Sequence, residues 1–145
     1  MDDIHGLRVW DSARALAKRC VEIARRNRLP DPSGLMEQLC RAASSVSANI
    51  AESMGAGTAK QRLQSLRVAH RSGWETRHHI IEAFDTGFVT PAQHGWLSNR
   101  AAVNVKMIVS LIVKVERSEA SRHPESRRPR RPRDANARRR RKPRP

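Results

Sequence analysis

Aromatic residues are nearly missing from this chain: three tryptophans, two phenylalanines and no tyrosine make up 3% of its 145 residues. A protein that holds single strands by stacking bases needs a row of exposed rings, so a stacking platform is poorly supported. Trp10, Trp74, Trp96, Phe84 and Phe88 all fall where helical spacing predicts core positions. Cysteine is scarce as well. Cys20 and Cys40 form no CxxC pair and have no histidine at ligand spacing, which favours buried thiols in a reducing compartment over metal ligands. Gly55-Ala56-Gly57 lacks the following Gly-Lys of a phosphate-binding loop. No apolar run reaches the roughly eighteen residues of a membrane span. The first thirty residues carry charges throughout and contain no apolar signal core, which predicts a cytoplasmic protein without a membrane partner.

Positive charge is what the chain has in excess. There are 29 Lys and Arg against 14 Asp and Glu, a net +15, and +10 of it lies between Ala120 and Pro145. That segment also holds Pro124, Pro129, Pro132, Pro143 and Pro145 and no apolar residue larger than alanine. It cannot build a core, so the expectation is a disordered Arg/Pro-rich tail over 120–145 behind one folded domain over 1–119. Such a chain should be drawn to polyanions.

The folded part is organised around Gln38–Gly57, QLCRAASSVSANIAESMGAG. Leu39, Ala43, Val46, Ile50 and Met54 repeat at the period of one buried helical stripe. The residues between them are mostly alanine and serine, so neighbouring backbones can approach closely. Upstream, Val9, Trp10, Ala13, Leu16, Ala17, Cys20, Ile23 and Ala24 give a first helix, ending near Arg28 or Leu29 because Pro30 disfavours helix in the residue before it. Asp31-Pro32-Ser33 predicts the start of the second helix, with proline in its first turn. Thr58 and Gln61 form a capping box for the third, whose expected inner face is Leu63, Leu66, Ala69 or His70, Gly73, Ile80 and Phe84, with Gly87 as its C-terminal cap. Thr90-Pro91-Ala92-Gln93 opens the fourth helix, expected over about 91–117. From Ala101 to Val115 it is apolar almost all round, except Asn104 and the strip Lys106, Ser110 and Lys114. A helix apolar over most of its girth is buried on more than one side, and in so small a bundle the second side is expected to be another subunit.

These elements carry motifs that resemble a known family, the bacterial four-helix bundle proteins first described as encoded by the intervening sequence in 23S ribosomal RNA genes. That fold includes the accessory variability determinant of diversity-generating retroelements. The matching residues are Leu7-Arg8-Val9-Trp10, Gly34-Leu35 with Gln38 and Arg41-Ala42-Ala43, Asn49-Ile50-Ala51-Glu52, and Ser72 with Glu75. Where the family usually has glycine after NIAE this chain has Ser53, and where it has glycine before the serine of G-S it has Arg71. The resemblance implies an all-α, antiparallel up-down four-helix bundle that assembles into a homo-oligomeric ring, commonly a homopentamer. It also implies a non-enzymatic accessory that binds a reverse transcriptase and template RNA, with cDNA or DNA as a further partner, in support of mutagenic cDNA synthesis. The alternative is a structural scaffold of the ribosomal intervening-sequence type with no retroelement role.

Read from the residues, the chemistry is that of binding. Arg14, Lys18, Arg25, Arg26, Lys60, Arg62, Arg67 and Arg71 lie on the outer faces of the first and third helices. Arg127, Arg128, Arg130, Arg131, Arg133, Arg138, Arg139, Arg140, Arg141 and Lys142 crowd the tail. Such groups neutralise phosphates without reading bases. Arg41, Asn49, Glu52, Ser72 and Glu75 read as buried ion pairs and hydrogen bonds that hold helix register, in preference to a ligand site. The serines of the central helix have no base nearby in sequence to activate them, and no enzyme is expected. His70, His78 and His79 lack the same-face spacing of a helical metal site, so neither metal nor cofactor is expected.

Overall fold

The computed structural model describes residues 4–122. Four helices fill that span: α1 (Ile4–Arg26), α2 (Leu35–Gly55), α3 (Ala59–Asp85) and α4 (Pro91–Arg122). No strand occurs among the described residues. Short connections make successive helices antiparallel neighbours. α1 packs on α2, α2 on α3 and α3 on α4, and α4 closes the ring of helices on α1. The backbones of the diagonal pairs α1/α3 and α2/α4 make no close approach. The fold is the four-helix bundle expected from the sequence.

Helix ends follow local chemistry. Thr90 N donates to Gln93 Oε1 at 2.8 Å and Gln93 N to Thr90 Oγ1 at 3.1 Å, a complete capping box at the start of α4. Thr58 Oγ1 likewise accepts from Gln61 N at 3.2 Å. Gly87 takes φ 79°, the left-handed conformation that ends α3, and Phe88 N reaches back to Ala83 O at 2.8 Å. The start of α2 departs from expectation. Pro32 lies in the turn before the helix, Gly34 (φ 67°) precedes Leu35, and the Asp31 carboxylate accepts from Leu35 N and Met36 N, both at 2.9 Å. Asp31 thus serves the orphan amides from outside the helix, and these backbone donors, Met36 first, lower its pKa.

The core falls into two clusters. One holds Leu16, Cys20, Ile23, Leu35, Leu39, Ile80 and Leu97, and the other Val9, Val46, Ile50, Leu66, Ile108 and Leu111. Leu39, Ala43, Val46 and Ile50 of α2 are buried as expected, while Met54 is half-buried. Burial raises the Cys20 thiol to about 12, with Cys40 nearby adding to the shift. Cys40, expected to be buried, is half-exposed.

Two small residues lie buried in the bundle. The Cα of Gly73 on α3 faces Val105 so nearly that a Cβ there would lie 2.9 Å from Val105 Cγ2. Ser53, in place of a glycine, fits because its hydroxyl turns inward to donate to Ile50 O at 2.6 Å.

The inner face of α3 is Ser65, Leu66, Ala69, Ser72, Gly73, Thr76, His79, Ile80 and Ala83. Phe84 is a correction: it is exposed and stacks on His94 at 4.3 Å between centroids. The fourth helix continues unbroken to Arg122, past both its expected end at 117 and the expected domain boundary at 119. The remainder of the expected tail, residues 123–145, lies outside the described residues.

Candidate nucleic-acid interface

The cations of the helices fall on separate faces. Arg14, Lys18 and Arg25 recur at four and seven residues on α1 and are exposed, so they form one outward stripe. Lys60, Arg67 and Arg71 form a second on α3. Because α1 and α3 stand at opposite corners of the bundle, one chain cannot present both stripes to the same stretch of polyanion. Arg26 lies apart from both, at the far end of α1 beside the α3–α4 turn.

The best-gathered set lies at one end. The α2–α3 turn meets the last turns of α4 there, and a groove of about 170 Å³ is lined by Ala56, Gly57, Thr58, Arg62, Lys114 and Arg122 among others. Beside it, Arg8 and Lys114 line a second groove of about 410 Å³. Arg62 is half-buried and donates to Ser53 O at 3.3 Å, so it caps α2 as well as adding charge. Arg67 bonds Glu116 at 3.0 Å across α3 and α4, which weakens its claim as a phosphate ligand. Arg8, Lys114, Arg117 and Arg122 were not singled out as site residues from the sequence. The clue was available, since antiparallel α3 and α4, joined by the five residues 86–90, must bring residues near 60 beside residues near 118. The tail leaves from this same end, because α4 ends there. Its cations Arg127, Arg128, Arg130, Arg131, Arg133, Arg138, Arg139, Arg140, Arg141 and Lys142 lie outside the described residues.

The aromatic side chains also differ from expectation. Trp74 is 51% exposed and Trp96 41%, and Trp10 and Phe88 are only half-buried. Each tryptophan carries a guanidinium: Arg14 on Trp10 at 4.5 Å, Arg77 on Trp74 at 4.4 Å and Arg100 on Trp96 at 5.1 Å. The rings lie at the borders of the helix stripes, where an arginine can cover the outer face. Trp74 extends the α3 basic stripe, one turn beyond Arg71.

The expected polar network forms only in part. Asn49 Nδ2 donates to Ser45 O at 2.8 Å, and Ser45 Oγ meets Ser72 Oγ at 2.9 Å, tying α2 to α3. Arg41, Glu52 and Glu75 are exposed, which corrects the expectation of buried ion pairs. Arg41 pairs with Glu37 of its own helix. The small residues of α2 bring the neighbouring backbones close and leave no room for long charged side chains between them. A buried polar contact arises elsewhere instead: Ser12 Oγ donates to Asn104 Oδ1 at 2.5 Å across α1 and α4, and Asn104 Nδ2 has no partner among the described residues.

The arrangement of caps, stripes and helices coincides with a match to the family model for the 23S rRNA-intervening sequence protein, over residues 5–110. The chain belongs to this family. A solved structure of a Bacteroides thetaiotaomicron protein of unknown function, from the S23 ribosomal protein family, superposes with a TM-score of 0.66 at 21% identity. The alignment covers 75% of this chain and 98% of that one, so the two share the bundle. No curated protein matches. Among the described residues, no helix of this family member is long and apolar enough to cross a membrane.

Proposed function

We propose that this protein is a non-enzymatic, electrostatic nucleic-acid-binding accessory of a diversity-generating retroelement, holding template RNA for a reverse transcriptase. The observation that carries the reading is the cluster of Arg8, Arg62, Lys114 and Arg122 at the end of the bundle from which the arginine-rich tail departs. Helix and tail cations together would form one continuous phosphate-binding surface, read by charge and not by base. The resemblance of the chain in size, basicity and motifs to the retroelement accessory protein supports the choice of partner. Assembly into a ring, with a pentamer as the expected size, would add tails from several copies to one RNA and raise affinity through effective concentration.

A second reading, a homo-oligomeric scaffold without a nucleic-acid role, is favoured by the apolar groups on the outside of α3 and α4. Trp74, Ile81, Val103 and Val109 are all exposed in the single chain. Light scattering after size exclusion, on the full chain and on a chain ended at Arg122, separates the readings when each form is titrated with structured RNA. Salt-sensitive binding that weakens strongly without the tail supports the accessory reading. An oligomer without RNA affinity leaves the scaffold, and a monomer without RNA affinity overturns both.

A further inference from the structure

His79 lies on α3 between two carboxylates. Its Nδ1 is 2.9 Å from Glu82 Oε2, and its Nε2 is 3.7 Å from Glu75 Oε1. A neutral imidazole carries a single N–H. With that hydrogen on Nδ1 it bonds Glu82; with it on Nε2 the Nδ1 lone pair is free to coordinate beside the Glu82 oxygen. His78 joins the group, because its Nε2 lies 3.2 Å from the same Glu82 oxygen. Two imidazole nitrogens and one carboxylate oxygen therefore converge on one point.

The three ligand atoms lie within 4.8 Å of one another. No second group of three His, Cys, Asp or Glu side chains meets this test among the described residues. Bonds of about 2.0–2.2 Å in a tetrahedral shell place ligands roughly 3.3–3.6 Å apart, so small rotations of the two outer side chains close the set. His79 is fixed by burial, whereas His78 is exposed and leaves one side open to water. We propose that His78 Nε2, His79 Nδ1 and Glu82 Oε2 form a binding site for a divalent transition-metal ion of the zinc class. Glu75 is a positioning residue: its Oε1 stands 3.7 Å from His79 Nε2, outside hydrogen-bond range, and its charge favours the ring hydrogen on that nitrogen once Nδ1 coordinates. Imidazole and carboxylate donors suit zinc, cobalt and nickel, and water completes the shell. Sequence spacing alone hides the site, because His78 and His79 are adjacent in sequence. Glu82, four residues from one and three from the other, is what joins them.

The test uses the untagged full-length protein, zinc competition against a chromophoric chelator, and cobalt as a spectroscopic probe. One ion per chain and intense visible bands of four-coordinate cobalt are expected. His78→Ala and Glu82→Gln should each weaken binding by at least about a hundredfold. Glu75→Gln should weaken it by about 10–100-fold while keeping the cobalt spectrum, as expected of a group that only orients a ligand. His78 and Glu82 lie at the surface, so these variants keep the core intact. Failure to bind zinc, or binding that survives both substitutions because other histidines supply it, overturns the proposal.

Discussion

Gly73→Ala should destabilise the bundle even though alanine is the better helix former. Its added Cβ would meet Val105 Cγ2 at 2.9 Å, and valine cannot turn away because its χ1 is held by branching. Overpacking of this kind costs about 1–3 kcal/mol, and replacing glycine inside a helix returns about 1 kcal/mol. The net expectation is a loss of about 1 kcal/mol. In a Val105→Ala background the obstacle is gone, and the same substitution should stabilise by about 1 kcal/mol. The coupling between the two sites is then about 2 kcal/mol, well above the few tenths found between independent positions. Urea denaturation at fixed protein concentration measures all four forms, since oligomers make the midpoint depend on concentration. At a slope of about 2 kcal/mol/M, each change of 1 kcal/mol moves the midpoint by about 0.5 M. If Gly73→Ala is neutral or stabilising in the parent chain, or has the same effect in both backgrounds, the close approach of α3 and α4 is refuted.

Ile50→Ala, at a fully buried position between α2 and the helices beside it, should cost about 2–5 kcal/mol. Ile81→Ala, at a residue 53% exposed, should stay within about 0.5 kcal/mol in a monomer, so a larger loss in thermal melts would mark a subunit contact. Ellman's reagent should react with Cys40 in the native protein and with Cys20 only on unfolding, because burial raises the Cys20 thiol to about 12. A thiol raised on folding contributes stability that is whole below its unfolded pKa of about 8.5 and is lost as pH climbs toward the folded value. The urea midpoint should therefore fall above that pH, and less so in Cys20→Ala. Asp31 has the opposite sign. Its lowered pKa contributes stability above the unfolded value of about 3.9 that disappears as pH falls through the folded value. Asp31→Ala should thus lower the melting temperature at neutral pH and make no difference in strong acid.

Much of the fold was legible because its signals are local. The capping box at Thr90 and Gln93, the glycine stop at Gly87 and the stripe Leu39, Ala43, Val46 and Ile50 each depend on neighbours within a turn or two. What depends on a neighbouring helix was harder to read. The tryptophans have helical spacing to the core residues but lie at the stripe borders, and only the packed bundle shows an arginine covering each ring. Arg41, Glu52 and Glu75 interrupt an apolar pattern, which in sequence implies buried partners. The twist of α2 turns the first two outward, where Arg41 finds Glu37. The split of the helical cations between opposite corners follows from topology and is invisible in composition. Glu82 went unnoticed because it becomes a metal-ligand candidate only when the orientation of two adjacent imidazoles is known.

The bundle is closed by the contact between its first and last helices, the least extensive of its four interfaces and the one held by the Ser12–Asn104 bond. Those two residues are 92 positions apart, so the seam closes the longest loop in the molecule. It should form last in folding, after the α2–α3 hairpin, and open first in native-state amide exchange. The arginine tail continues directly from α4, one side of that seam. A partner that draws on the tail therefore loads the latest-forming and least protected contact of the bundle, while the α2–α3 hairpin holds its shape.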